Sequence, residues 1–429
     1  MITRILRKEE QWKSDRIQAV CFEIPFDTEK AKKQSQEAAQ TEVPSQDTFK
    51  TECWGCFADD DEELLGSITV SHFTAGFDGH DVQMGGIGGV STLPQWRRQR
   101  VIRRCFESAL ADMYERGFVL SALYPFSTNY YRKFGYENNG CVCEWTVPFD
   151  ALPSAPVEGT VEQLLPGDDL SPLLEIYREF YKDCNLAVRR SVYDPALAKE
   201  NLLEQKRYIY LWRDRDHKPQ GFLIARKTDG EVFDCTTTFQ LKNGFLALNT
   251  EAYLGLFSFV KTSFSAYYKK IRFGVPEWIR PDSFFTESTG ITCQRFYNGM
   301  LRIVHVPEAL RLCRCKGSGT IRLEVKDEML PQNNGVWQVD FAPGQENRVA
   351  RTEEAADLCL PVNALSALLC GVRSAREIPW MPEVQVKNQD APLEQIFYQK
   401  IRTVLISFRT EENPRKNGLS GFVFRGFQH

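Results

Sequence analysis

The chain has 429 residues and a formal net charge of -4, from 53 lysines and arginines against 57 acids. With 42% hydrophobic and 26% charged residues it is globular in composition, which excludes a chain disordered throughout. At about 150 residues per domain the length predicts roughly three domains, and the charge balance lacks the basic excess of a nucleic-acid-binding surface.

Residues 11–23 read as an amphipathic helix, with Trp12, Ile17, Val20 and Cys21 near helical spacing. Residues 27–50 are polar and read as a solvated helix or a mobile loop. Strands are predicted over 53–58 and 64–72, around the acidic turn 59–63, and a glycine-rich strand over 82–90. A helix is predicted over 97–116, where Val101, Cys105, Leu110 and Met113 share a broad apolar face. The run 118–124, apolar but for Ser121, reads as a strand covered on both faces of its sheet. A helical turn through Tyr131 and a strand over 141–147 close an α/β unit near Asp150.

Residues 152–156 are a linker by composition. A second unit then repeats the coarse order of the first: a helix over 171–183, strands over 208–213, 221–227 and 245–248, a helix over 251–264, and a strand over 270–274. A third section opens at 299–306. It carries helices at 307–313 and 361–370, strands at 319–325 and 335–341, and a closing segment at 393–408.

Thirteen cysteines, an odd number, sit mostly in apolar runs behind a charged start that supplies no signal-peptide core. They read as reduced thiols of a cytoplasmic protein. Cys53 and Cys56 have CxxC spacing, but the five histidines are scattered, so no metal is expected. No apolar run reaches the roughly 20 residues of a bilayer span, so no membrane partner is expected.

No GxxxxGK[ST], GxSxG or HExxH motif occurs, which sets aside P-loop, α/β-hydrolase and zincin chemistry. Gly85-Gly86-Ile87-Gly88-Gly89 lacks the GxGxxG spacing of a dinucleotide site. The informative block runs from Gly86 to Ile102: a strand, a Ser91-Thr92-x-Pro94 turn, and the run Arg97-Arg98-Gln99-Arg100-Val101 opening a long helix. Unpaired amides and partial positive charge at a helix start form a natural pyrophosphate seat, and arginines add charge-assisted bonds. The alternative is a solvated helix start.

This block, together with Pro125-Phe126-Ser127-x-x-Tyr130-Tyr131-Arg132-Lys133-Phe134-Gly135-Tyr136, resembles the GNAT acetyltransferases, and more narrowly the enhanced intracellular survival (Eis) family. The resemblance continues through Phe245-Leu246-Ala247-Leu248-x-x-Glu251-Ala252-Tyr253 and Met300-Leu301-Arg302-Ile303-Val304. It implies an α/β (α+β) fold of tandem GNAT-like units with a sterol-carrier-protein-like C-terminal domain. The domains would be 1–152, 153–298 and 299–429.

The resemblance further implies an N-acetyltransferase that moves an acetyl group from acetyl-CoA to a primary amine by direct attack. The acceptor would be aminoglycoside-like or lysine-like, and the second unit would shape its pocket. Gly88, Gly89, Val90, Ser91, Thr92, Arg97, Arg98, Gln99, Arg100, Val101 and Ser127 would bind the acetyl-CoA. Tyr131 would be the general acid, since a phenol is protonated at neutral pH. The terminal carboxylate, here that of His429, would be the base. A homo-oligomer, commonly a hexamer, is the family's assembly. Where the family carries glycine and glycine or alanine in its acyl-CoA turn, this chain has Arg100 and Ile102. A non-catalytic relative with a weakened CoA site, acting as a binding or scaffold protein, is the alternative function.

Overall fold

The computed structural model describes residues 1–40, 50–154, 158–191, 203, 206–226, 230–236, 244–297 and 299–402. Two compact units emerge, one formed by Met1–Asn139 with Gly299–Lys400, the other by Gly140–Asn298 with the short segment from Ile401.

In the first unit the chain forms β1 (Ile2–Ile5), α1 (Gln11–Cys21), α2 (Thr28–Gln40), β2 (Thr51–Phe57), β3 (Leu64–Phe77) and β4 (His80–Thr92). It continues through α3 (Val101–Glu115), β5 (Leu120–Leu123), α4 (Thr128–Arg132) and β6 (Glu137–Asn138). The polar stretch expected as a helix or loop is α2 as far as Gln40, and 41–49 lie outside the described residues. A seven-stranded sheet runs β1-β2-β3-β4-β5, then strand Met300–Ile303, then β6. Only β4 and β5 run parallel, as the α3 crossover between them requires; the other neighbours are antiparallel.

The strand Met300–Ile303, expected to open the third section, is therefore part of the first sheet, inserted between β5 and β6. Helix α3 packs its apolar face on this sheet. Val101, Ile102, Cys105, Phe106, Leu110 and Met113 form one buried core with Ile68, Val70, Ile87, Leu123, Tyr131, Phe134, Tyr136 and Met300. Gly85 explains part of the glycine run: a Cβ there would overlap the Met113 sulfur, so its role is close helix–sheet approach. The rest of the unit holds a second sheet of five strands, ordered Arg348–Thr352, Gly335–Phe341, Gly319–Lys326, Leu358–Pro361 and Gln385–Val386.

The second unit is built on an eight-stranded sheet. The strand Cys141–Pro148, which local pattern attached to the first α/β unit, hydrogen-bonds here, antiparallel to both Lys270–Pro276 and Thr292–Tyr297. Helix Thr250–Phe264 packs Ala252, Tyr253, Leu256, Phe257 and Val260 into the core of this sheet. All thirteen cysteines are free thiols, and most are buried. Among the described residues no helix is long and apolar enough to cross a membrane.

Candidate active site

The parallel pairing of β4 and β5 covers only Met84–Ile87 against Leu120–Leu123. Beyond Ile87, β4 runs on to Thr92 while β5 ends, so Gly88, Ser91 and Thr92 pair on the β3 side alone, and Gly89 and Val90 fall in a break of that register. That side is irregular: the register shifts between Ser67 and Thr69, and Gly89 has φ +56°. The Ser91 hydroxyl donates to the Gly89 carbonyl at 3.1 Å. A strand that leaves its parallel neighbour opens a wedge between the two, with main-chain groups turned into it.

Helix α1 covers this stretch from the other side. Ser14 Oγ meets Ser67 Oγ at 2.9 Å, and the Gln18 amide donates to Ser14 Oγ at 3.1 Å. The Cys21 thiol donates to the Thr92 carbonyl at 3.2 Å. The sequence reading of this helix rested on its apolar positions alone; a Ser-x-x-x-Gln pair one helical turn apart was the available signal for these polar contacts.

The helix expected from Arg97 begins at Val101. Arg98 and Arg100 have φ +65° and +62°, left-handed backbone that no helix can pass through, so Arg97, Arg98, Gln99 and Arg100 form an exposed turn after the 3-10 turn Pro94–Trp96. No side chain caps the new helix start. Its first backbone bond is Arg104 N–H to the Arg100 carbonyl, 3.0 Å, which leaves the amides of Val101, Ile102 and Arg103 ahead of the ladder. Among the described residues no carboxylate pairs with Arg97, Arg98 or Arg100. Ile102 is buried in the core beside Cys105 and Phe106, and Val101 joins it there.

Tyr131 lies on α4. Ser127, one of the residues expected to bind cofactor, is the N-cap of that helix; its oxygen accepts the Tyr130 amide at 3.4 Å. The Tyr131 ring is buried among Phe106, Phe126, Tyr130 and Tyr136, at centroid distances of 6.2, 5.4, 5.2 and 6.5 Å. Burial, with the neighbouring phenols, pushes its hydroxyl far above the ordinary tyrosine range, so the phenol holds its proton at every physiological pH. Beside it the Ser121 hydroxyl donates to the Gly85 carbonyl at 2.9 Å. The Tyr136 hydroxyl therefore donates to Ser121, 2.7 Å away.

The fold thus gathers Val90, Val101 and Tyr131 around one core, with the arginine turn at the start of the helix that forms it. His429 lies outside the described residues.

The sequence profile of the Acetyltransferase (GNAT) domain matches residues 3–138. Residues 1–139 are the stretch that carries this wedge, turn and tyrosine. The N-terminal domain is a GNAT acetyltransferase domain. The sterol carrier protein domain profile matches residues 306–406, so the chain joins a GNAT enzyme domain to a sterol-carrier-like one in a mixed α/β fold.

Solved structures resemble this chain over nearly its whole length. A conserved protein of unknown function from Enterococcus faecalis V583, described as a probable N-acyltransferase, is 21% identical with a TM-score of 0.80, covering 95% of this chain and 99% of that one. A GCN5-related N-acetyltransferase from Anabaena variabilis has 21% identity and a TM-score of 0.73, over 94% and 98%. Eis1 from Mycobacterium abscessus has 16% identity and a TM-score of 0.70, over 95% and 100%. At these identities the likeness speaks for the fold. Among curated proteins no sequence matches the chain significantly.

Proposed function

We propose that this chain is an acetyl-CoA-dependent N-acetyltransferase of the Eis type, which acetylates a primary amine of an aminoglycoside-like or lysine-like acceptor. The observation that carries the reading is the turn Arg97–Val101. Two left-handed residues present it at an uncapped helix start, and its three arginines have no carboxylate partner among the described residues. Unpaired amides and unpartnered cations fit a pyrophosphate.

In this reading acetyl-CoA supplies an activated acetyl thioester. The amides after Ile87 lie along the wedge and donate to the carbonyl oxygen that becomes negative as the amine attacks. Arg97, Arg98, Gln99, Arg100 and Val101 hold the phosphates, with Gly88, Gly89, Val90, Ser91, Thr92 and Ser127 along the rest of the ligand. Tyr131 keeps its proton until the departing sulfur takes it. The base is the carboxylate of His429, and no metal takes part. The same reading takes the domains as 1–152, 153–298 and 299–429 and the protein as a cytoplasmic homo-oligomer, a hexamer by resemblance, acting without nucleic-acid or membrane partners.

Calorimetry with coenzyme A, followed by thiol release from acetyl-CoA with neomycin, spermine and Nα-acetyl-lysine, tests this reading. Saturable binding and turnover of at least one amine are expected. Tyr131→Phe should lower kcat by about 100-fold or more while leaving the coenzyme A affinity within about twofold. No binding of coenzyme A at millimolar concentration would leave the non-catalytic relative as the function.

A further inference from the structure

The sequence motif Met300–Val304 contributes a strand to the acetyltransferase sheet, and one side chain on it reaches the loop that carries Tyr131. Arg302 is fully buried, as is its partner Asp327. Its guanidinium donates to the Phe134 carbonyl at 2.5 Å, to the Ile303 carbonyl at 3.2 Å and to Asp327 Oδ2 at 2.5 Å. We propose that Arg302 is a positioning residue for Tyr131, holding the Tyr131–Tyr136 turn against an anchor supplied by residues 300–334. The proposal rests on the reading of Tyr131 as the general acid.

The geometry connects the two residues in few steps. The Phe134 N–H donates to the Tyr131 carbonyl at 2.9 Å and the Tyr136 N–H to the same oxygen at 3.3 Å, so the turn closes on Tyr131. Arg302 grips the opposite end of the Phe134 residue. Gly135 follows with φ +80°, and a Cβ on it would lie 2.9 Å from Arg302 Nη1 and 2.8 Å from Val362 Cγ1. The turn therefore rests directly on the guanidinium, with backbone that only glycine adopts freely.

The anchor is itself over-determined. Asp327 Oδ2 also accepts from the Asn333 amide at 2.9 Å, and Oδ1 from the Met329 and Leu330 N–H groups at 3.0 and 3.2 Å. The Ile303 N–H donates to Ser366 Oγ at 2.8 Å and fixes the strand itself. A buried ion pair contributes little net stability compared with apolar packing, because desolvation offsets its attraction. What it supplies is placement, and a planar fork sets direction as a lysine cannot. Displacement of a reacting group by about 1 Å costs up to about 100-fold in rate.

The test uses the full-length chain with acetyl-CoA and the best acceptor among neomycin, spermine and Nα-acetyl-lysine, comparing wild type, Arg302→Lys, Tyr131→Phe and the double variant. Arg302→Lys should lower kcat about tenfold while the KM for acetyl-CoA stays within about twofold. In the Tyr131→Phe background the same change should alter kcat by less than about twofold, because the group it positions is gone. A wild-type kcat in Arg302→Lys, or an equal fold-loss in both backgrounds, overturns the proposal. Wild-type kcat in Tyr131→Phe instead removes the general-acid reading on which it stands. Should Arg302→Lys fail to fold, Asp327→Asn keeps a neutral acceptor for the fork and is compared in the same two backgrounds.

Discussion

At residue scale the informative contrast is between Arg100 and Tyr131. Arg100 occupies left-handed backbone, φ +62° and ψ 15°, where a Cβ costs about 1–2 kcal/mol. Glycine removes that cost but adds entropy to the unfolded chain, so Arg100→Gly should raise stability by about 1 kcal/mol or somewhat less in urea denaturation. The same variant should bind coenzyme A about tenfold more weakly, since one exposed cation is lost from the turn. Strain kept where it harms stability and helps a ligand marks a functional position; unchanged affinity would show that Arg100 holds no phosphate. The arginine cluster was legible in the sequence as a charged helix start. Its backbone was not, because arginine is a good helix former and nothing local announces two left-handed residues in such a run. Ile102 reads as an intruder in a motif alignment, yet the helix turns it into the core. Tyr131 was legible by motif, while its burial follows from Phe106 and Tyr136, which only the folded chain brings to it.

At element scale, periodicity located strands without saying what they pair with. Residues 141–147 read as a strand of the first unit and 299–306 as the opening of the third section, yet Cys141–Pro148 and Met300–Ile303 each hydrogen-bond into a different sheet from the one their neighbours in sequence suggested. Local pattern carries side-chain alternation and burial; the partner depends on contacts over more than a hundred residues. The N-terminal edge strand β1 gives a case where element stability can be read from charge. The Arg4 fork donates to Glu10 at 2.7 and 2.9 Å and to Asp61 at 2.9 Å, and the Arg7 N–H donates to Glu10 at 3.0 Å. The Arg4 bond, aided by that amide and opposed by partial burial, holds the Glu10 carboxyl down at about 2. The folded state thus binds this proton less readily than the unfolded chain does. The stabilisation is complete above the ordinary glutamate pKa near 4.5 and is lost as pH falls toward about 2. Urea midpoints measured at pH 7, 4 and 3 should fall with pH, and Glu10→Gln should flatten part of that fall.

At the scale of the whole molecule, motifs pointed to an acetyltransferase domain ahead of a sterol-carrier-like one, whereas the interleaving of chain segments was not legible. The clearest long-range tie is Asp78, at the turn between β3 and β4, with Lys400, 322 residues later in the same compact unit. Lys400 Nζ donates to Asp78 Oδ2 at 2.5 Å and to the Leu369 carbonyl at 2.8 Å, and the Arg314 N–H donates to the same Asp78 oxygen at 2.8 Å. Both side chains are buried. Lys400→Met strands a buried carboxylate and should cost about 3–5 kcal/mol in urea denaturation, most of it recovered in Asp78→Asn/Lys400→Met. An equal loss in the double variant would show that packing at Lys400, and not charge, is what matters. The strand between β5 and β6 has a consequence for biogenesis. Residues 140–299 must leave the ribosome before the segment that completes the first sheet arrives, a delay of roughly 8–30 s at about 5–20 residues per second. During that interval the nascent amino-terminal part exposes two unzipped sheet margins, a natural client surface for a chaperone.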